Sequence, residues 1–202
     1  MSTHEQLEVN EAGAASLNSA ISRISDSAIG RRVIAVFAFA VLTAIAARLA
    51  VPIAVLPVPL TLQVVAVLLS GYLLGPRLGF ASQITYLAIG AVGFPVFAAG
   101  GGAAYLLGPT GGYLAAFPVA AAVAGLGYRS HWRLPVRLAM LALGVTVIHL
   151  MGIAWLQLVM STPVSFASHV APFVVGDVLK VAFVLLLGSG LRTPMQRSWL
   201  TQ

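Results

Sequence analysis

Long apolar stretches separated by short linkers recur along this chain, and they restrict what it can fold into. The runs lie near Val33–Val51, Leu60–Leu74, Leu78–Phe97, Gly111–Leu126, Leu138–Met160 and Ala171–Leu191. A helix needs roughly 20 apolar residues to cross the hydrocarbon core of a bilayer. With 59% hydrophobic and only 8% charged residues, a soluble domain of this length would not hide its apolar surface in one core. The sequence therefore predicts an all-α integral membrane protein, a six-transmembrane-helix bundle whose short second span is tilted or partly buried.

Arginines at the ends of the apolar runs predict the orientation of the bundle. Nine of them fall on one side, at Arg23, Arg31, Arg32, Arg77, Arg129, Arg133, Arg137, Arg192 and Arg197. The three loops of the other side, near Pro52–Pro59, Ala98–Thr110 and Ser161–Val170, contain neither Lys nor Arg. Because basic residues concentrate in cytoplasmic loops, both termini are predicted to be cytoplasmic. The arginines do not alternate with aromatic residues as on a nucleic-acid surface, so we expect lipid headgroups and no nucleic acid as their partners.

The first 30 residues differ in composition from the rest, since they contain four of the five acidic residues. They have no apolar core of the kind found in a signal peptide. We therefore predict a cytoplasmic tail at residues 1–30, in which residues 17–29 form either an amphipathic helix on the inner membrane surface or a disordered leader. Residues 31–192 are predicted to form the membrane domain, and residues 193–202 a cytoplasmic C-terminal tail.

Three charged side chains, those of Arg48, Asp177 and Lys180, remain inside the predicted spans. An ionised group within a bilayer is costly unless it is paired or hydrated, and it usually marks a ligand or ion path. Asp177 and Lys180 are three residues apart, so they share one face of a helix. The net charge of +1 on the three residues favours a ligand with one carboxylate, while Asp177 accepts hydrogen bonds from N–H groups. The alternatives are an ion pair that only fixes helix packing and an Arg48 side chain that extends to the interface.

Other chemistries find little support in the sequence. The chain has no cysteine, and the spans contain a single acidic residue, which excludes thiol chemistry and paired carboxylates. His149 and His169 lack metal-ligand spacing, so we predict packing roles for both. The glycine-rich loop Ala98–Gly112 does not end in the Gly-Lys-Ser/Thr of a P-loop; it permits either close approach to a ligand or compact re-entrant packing. The sequence therefore predicts no enzyme, metal or cofactor.

Four motifs follow one another along the chain. They are PVPLTLQ at residues 57–63, GAVGFPVF at 90–97, GPTGGYL at 108–114 and PFVVGDVLK at 172–180. In this order they resemble the BioY family of biotin transporters, the substrate-capturing components of energy-coupling-factor (ECF) uptake systems. The resemblance extends from about Val33 to Leu191, and the combination of GPTGGYL with PFVVGDVLK is its most specific part.

The resemblance implies a biotin site that includes Asp177 and Lys180. Biotin has one carboxylate and a ureido ring with two N–H donors, so we expect Asp177 to accept a ureido N–H; Lys180 then binds either the ureido oxygen or the carboxylate. The Gln63 side chain is an amide that needs hydrogen-bond partners, and biotin is one candidate. The candidate walls for the bicyclic ring, whose alternative role is packing or interface anchoring, are Tyr86, Phe97, Tyr105, Tyr113 and Trp155.

The resemblance also implies partners. A multi-pass protein of the bacterial cytoplasmic (inner) membrane is expected, with a transmembrane coupling subunit and separate ATP-hydrolysing subunits. Small residues at four-residue spacing in the first span, Ala40 with Ala44 and Ala46 with Ala50, permit close helix packing, either with the coupling subunit or within the chain. The alternative function is a self-sufficient proton-coupled carrier for a small carboxylate-bearing vitamin, in which Asp177 titrates.

Overall fold

The structure, a computed structural model, describes residues 27–51, 58–127, 133–160 and 166–195 and the single positions 6, 13, 16 and 19. In chain order its elements are α1 (Ala28–Arg48), β1 (Ala50–Val51), β2 (Leu60–Thr61), α2 (Gln63–Leu74), α3 (Pro76–Ala91), α4 (Ala103–Leu106), α5 (Gly111–Leu126), α6 (Leu134–Val159) and α7 (Phe166–Met195). The chain is thus mostly helical, as predicted.

Three helical segments are long and apolar enough to cross a membrane: Ala28–Arg48, Leu134–Val159 and His169–Leu191. Two shorter helices, α2 and α5, are also apolar. Each of the six predicted spans contains one helix, whereas the six crossings and the cytoplasmic termini stay predictions.

Helix boundaries differ from the predicted spans where local hydrogen bonds or turns decide them. Helix α1 begins at Ala28 rather than near Val33, because the Ser27 hydroxyl accepts a hydrogen bond from the Gly30 N–H at 2.9 Å and caps the helix. Helix α3 ends at Ala91, and Phe97 lies in the following loop. The predicted amphipathic helix at 17–29 falls mostly outside the described residues, as does most of the C-terminal tail.

Helix α2 is the central helix of the bundle, since ten of its 12 residues are buried. Glycines let its neighbours approach at backbone distance. A Cβ added at Gly71 would collide with the Ala121 carbonyl and the Gly125 amide of α5, and one at Gly79 of α3 would collide with the Gly71 backbone. The short second apolar run is therefore a buried helix, which agrees with the second of the two predicted alternatives, tilted or partly buried.

A buried polar cluster joins helices α1, α2 and α3. The Gln83 amide nitrogen lies 3.2 Å from both the Thr43 and the Ser70 hydroxyls, and Thr43 also donates to the Phe39 carbonyl at 2.8 Å. Gln83, Thr43 and Ser70 are fully buried. Because an unpaired polar group would be costly here, the cluster favours one arrangement of α1, α2 and α3.

Two irregular segments meet at the end of the bundle where α1 terminates. Strands β1 and β2 pair antiparallel, with Ala50 opposite Thr61 and Val51 opposite Leu60, and bring together the two ends of the proline-containing loop. The segment after α3 folds back through a hydrogen bond from the Gly102 N–H to the Gly90 carbonyl at 2.7 Å. Both segments line the cavity described next.

Candidate ligand site

A cavity lies between helices α2, α5, α6 and α7 and the two irregular segments. Its apolar and aromatic walls are Val58, Pro59, Val64, Ala98, Tyr105, Tyr113, Leu114, Phe117, Ile148 and Phe173. Its polar groups are Thr61, Gln63, Thr110, His149, Asp177 and Lys180. Mostly apolar walls with a few convergent polar groups are typical of sites for small organic ligands.

Asp177 lies between two donors at the centre of the polar part. Lys180 Nζ donates to Asp177 Oδ1 at 2.9 Å, and His149 Nε2 lies 2.6 Å from Asp177 Oδ2. Asp177 and Lys180 are each 7% exposed and His149 is 9% exposed. Because an ionised carboxylate only accepts hydrogen bonds, His149 carries the N–H on Nε2. The three residues form a buried network, in which Lys180 balances the charge of Asp177.

The sequence predicted a packing role for His149 and did not reveal its contact with Asp177. Its partner, Asp177, lies 28 residues further along the chain, and only the packing of α6 against α7 brings the two side chains together. A signal for this role was present in the sequence, because an ionisable residue inside a span is by default a candidate functional residue.

Gln63, at the start of α2, lines the cavity and has its amide nitrogen paired within the protein. It donates to the Tyr86 hydroxyl at 2.7 Å, and Tyr86 in turn donates to the Val96 carbonyl at 3.2 Å. Tyr86 and Phe97 are 1% and 0% exposed, and neither belongs to the cavity lining. They lie behind the lining, where Phe97 stacks on Tyr105 with ring centroids 5.1 Å apart.

Of the five aromatic residues predicted as walls, Tyr105 and Tyr113 line the cavity and Trp155 does not. The Trp155 indole N–H donates to the Gly108 carbonyl at 2.9 Å, and its side chain leaves no room for a Cβ at Gly112. Trp155 therefore fixes the GPTGG segment to α6. In this structure Trp155, Tyr86 and Phe97 pack within the protein and do not line the cavity, which agrees with the alternative role of packing.

Arg48 lies outside the cavity, contrary to its prediction as a ligand residue. Its side chain is exposed, and its guanidinium donates to the Pro95 carbonyl. Arg48 ends α1 and reaches the loop after α3 instead of the charged network. The net charge of +1 deduced from Arg48, Asp177 and Lys180 therefore does not describe the site.

The four alanines predicted to contact a coupling subunit, three in α1 and one in β1, are buried to different extents. Ala40 and Ala46 are 1% and 8% exposed, so for these two the within-chain packing alternative holds. Ala44 and Ala50 are half-buried. A contact of the alanine face with a coupling subunit stays a prediction, and Ala40 and Ala46 offer little free surface for it.

The cavity is narrow, with a volume of about 50 Å³, whereas pockets for drug-sized ligands have volumes of roughly 300–1,000 Å³. A ligand of vitamin size therefore requires the walls to move apart. Helix α7 is flanked by apolar grooves, one shared with α6 and one with α1 and α2. Its outer residues Val175, Val178 and Leu179 are 72%, 64% and 65% exposed, so α7 is the wall with the least protein around it.

Comparisons with known proteins agree on one family of transporters. The probable biotin transporter BioY of Pyrococcus horikoshii is 44% identical over 155 residues, which cover 76% of this chain and 91% of that protein. The biotin transporter BioY of Thermotoga maritima is 36% identical over 164 residues, 80% of this chain and 96% of that protein.

A solved structure matches as well. The crystal structure of the S-component for biotin from an ECF-type ABC transporter has a TM-score of 0.73 at 29% identity, and the match covers 80% of this chain and 90% of that one. Residues 17–197 match the BioY family, which confirms the resemblance found in the four motifs. The chain is a multi-pass membrane protein that belongs to the BioY family.

Proposed function

We propose that this protein binds biotin inside the cytoplasmic membrane and supports its uptake as the substrate-specific subunit of an ECF transporter. The observation that carries the proposal is the buried Asp177–Lys180 pair, with its 2.9 Å hydrogen bond, in a cavity whose other walls are largely apolar. The names of the relatives and of the matching crystal structure support biotin as the ligand.

The chemistry of biotin fits the polar groups of the cavity. Each Asp177 oxygen accepts one hydrogen bond from the protein and retains capacity for a ureido N–H. Lys180 has three N–H donors and uses one on Asp177, so it binds the ureido oxygen or the carboxylate with another. Lys180 is the permanent cation among the described cavity residues. Because the charges of Asp177 and Lys180 cancel, burial of a dianion in this cavity would cost more than burial of a ligand with one negative charge.

The apolar walls fit the ring system and the aliphatic chain of biotin. Tyr105 and Tyr113 come from α4 and α5, Phe117 lies one helical turn beyond Tyr113, and Phe173 comes from α7. Aromatic rings contribute large apolar area with few rotatable bonds, so they bind a rigid bicycle at low entropic cost. Gln63, held by Tyr86, presents a polar group with a fixed orientation.

Capture and energy supply belong to different polypeptides in this proposal. The glycine-rich segment lacks a P-loop ending, so we assign ATP hydrolysis to separate subunits and force transmission to a transmembrane coupling subunit. The lipid bilayer is the medium of the helices, and no cofactor, enzymatic step or nucleic-acid partner is required.

Uptake by proteoliposomes separates this proposal from a self-sufficient proton-coupled carrier. We expect vesicles with the chain alone to bind labelled biotin without accumulating it, with or without a proton gradient. Addition of the coupling and ATP-hydrolysing subunits with ATP should start accumulation. Accumulation driven by the proton gradient alone, and abolished by a protonophore, would support the carrier instead. Empty vesicles give the background.

A further inference from the structure

We infer that His149 is a positioning residue for ligand binding, which acts by fixing the carboxylate of Asp177. The inference rests on the proposed function, since it concerns the same cavity. His149 Nε2 lies 2.6 Å from Asp177 Oδ2 while Lys180 Nζ lies 2.9 Å from Oδ1. Lys180 alone holds one oxygen and leaves the carboxylate free to rotate. With His149 on the other oxygen, the plane of the carboxylate is fixed.

The His149 ring is itself held in place. The Tyr113 ring meets it edge to face with centroids 6.4 Å apart, and the Phe173 ring lies 5.7 Å away. Both aromatic residues also line the cavity. A donor immobilised before the ligand arrives reduces the entropic cost of ordering Asp177 on binding. His149 therefore contributes to affinity through Asp177.

The second ring nitrogen of His149, Nδ1, argues against a role in packing alone. Nδ1 is an acceptor in the neutral ring and a donor in the protonated ring, and it is buried with no hydrogen-bond partner in the described part of the chain. Burial of an unpaired polar nitrogen is unfavourable in either state, and a phenyl ring packed between Tyr113 and Phe173 would avoid that cost. The bond to Asp177 explains why an imidazole rather than a phenyl ring occupies this position.

Two substitutions with opposite properties test the inference. His149→Phe keeps the aromatic packing and removes the donor, whereas His149→Gln removes the ring and keeps an amide N–H at about the same distance along the side chain. We expect His149→Phe to weaken biotin binding about tenfold or more and His149→Gln to weaken it at most about threefold, which corresponds to loss or retention of a charge-assisted hydrogen bond. Thr146→Val, an exposed position one turn earlier in α6, is the matched control.

Calorimetry of the purified full chain with biotin measures these affinities, and thermal unfolding in detergent confirms that each variant is folded. Failure of the wild-type chain to bind biotin would refute the proposed function and not this inference. The inference is overturned if His149→Phe binds as tightly as wild type, or if folded His149→Gln loses as much affinity as His149→Phe. Should His149→Phe not fold, a folded His149→Gln variant with a tenfold loss would overturn it as well.

A double-mutant cycle separates action through Asp177 from direct contact with the ligand. Because His149 acts through the carboxylate, we expect His149→Phe to add less than about twofold in the Asp177→Asn background. A full additional tenfold loss there would show that His149 binds the ligand independently and would contradict the positioning role. Competition with labelled biotin measures the weak affinities.

Discussion

The Asp177 carboxylate is a buried charge with two protein donors, and its substitution tests the site most locally. Asp177→Asn keeps the shape but replaces one oxygen by an N–H₂ group, which faces either Lys180 or His149 as a donor against a donor. It also opposes a ligand N–H. We expect a loss of about 1.5–3 kcal/mol, or roughly ten- to a hundredfold in biotin affinity. Calorimetry on the folded variant measures it, and an unchanged affinity would contradict the account.

The double variant Asp177→Asn with Lys180→Met distinguishes a binding pair from a packing pair. Removal of both charges leaves neither one unpaired, so the protein should fold with near-native stability. We expect it not to bind biotin at the biotin concentrations that saturate the wild-type protein. If the pair only fixed helix packing, the double variant would bind biotin normally. Thermal unfolding and calorimetry on the same preparation give both readouts.

Substitution of Arg48, in contrast, is expected to have little effect on biotin affinity. Its side chain is exposed and contacts the Pro95 carbonyl, outside the cavity lining. Arg48→Met should therefore change biotin affinity by less than about threefold, which is within the range of a peripheral contact. A loss comparable to that of Lys180→Met would show that Arg48 reaches the ligand in the bound state.

The residues of the site differ in how far the sequence predicted them. Asp177 and Lys180 were predictable, because charge inside an apolar run is costly without a partner. Arg48 met the same criterion, but hydropathy does not show which way a side chain at a helix end points. His149 was missed because its partner lies in another helix. Some of the predicted aromatic residues line the cavity and others lie behind its walls. Tertiary packing alone decides between the two positions, and no local sequence pattern predicts it.

At the scale of helices, close backbone contact around Gly71 should be sensitive to one methyl group. A Cβ there meets backbone atoms of α5, which cannot rotate away. We expect Gly71→Ala to destabilise the protein by about 1–3 kcal/mol, as overpacking does, and to lower the apparent unfolding temperature in detergent. Gly190→Ala in α7 is the matched control, since nothing lies within 4 Å of its added Cβ. Equal unfolding temperatures for the two variants would contradict the packing described for α2 and α5.

The helices were predicted better than their ends. Both ends of α5 coincide with the predicted run Gly111–Leu126. Leu60 and Thr61 pair as strand β2, and the residues after Ala91 form a loop in which Phe97 is buried while Val92 and Phe94 are exposed, although both segments continue apolar runs. Hydropathy reports that a segment is apolar and does not distinguish a helix from a strand or an irregular loop.

For the whole molecule, orientation in the membrane is testable because the chain has no cysteine and labelling has no background. Cysteines at two exposed positions, Ala103 in α4 and Leu134 at the start of α6, are predicted to lie on opposite sides. In intact cells an impermeant thiol reagent should label Ala103→Cys only. Leu134→Cys should react after the cells are opened. Labelling of Leu134→Cys in intact cells would reverse the predicted topology.

The family was predictable from four ordered motifs, and the match over residues 17–197 confirms it. The width of the cavity was not predictable from the sequence, because its volume of about 50 Å³ depends on how α7 and the two irregular segments pack on the other helices. Since biotin needs more room than this, binding should be accompanied by movement of the walls.

Titration of the purified, detergent-solubilised chain with biotin, in the absence of nucleotide and of any other subunit, is the simplest test of whether this chain is a biotin-binding subunit. We expect saturable binding of one biotin per chain in the wild type and its loss in the folded Asp177→Asn with Lys180→Met variant. A wild-type chain that does not bind biotin but binds another carboxylate-bearing vitamin, or a double variant that binds biotin as the wild type does, would contradict this expectation.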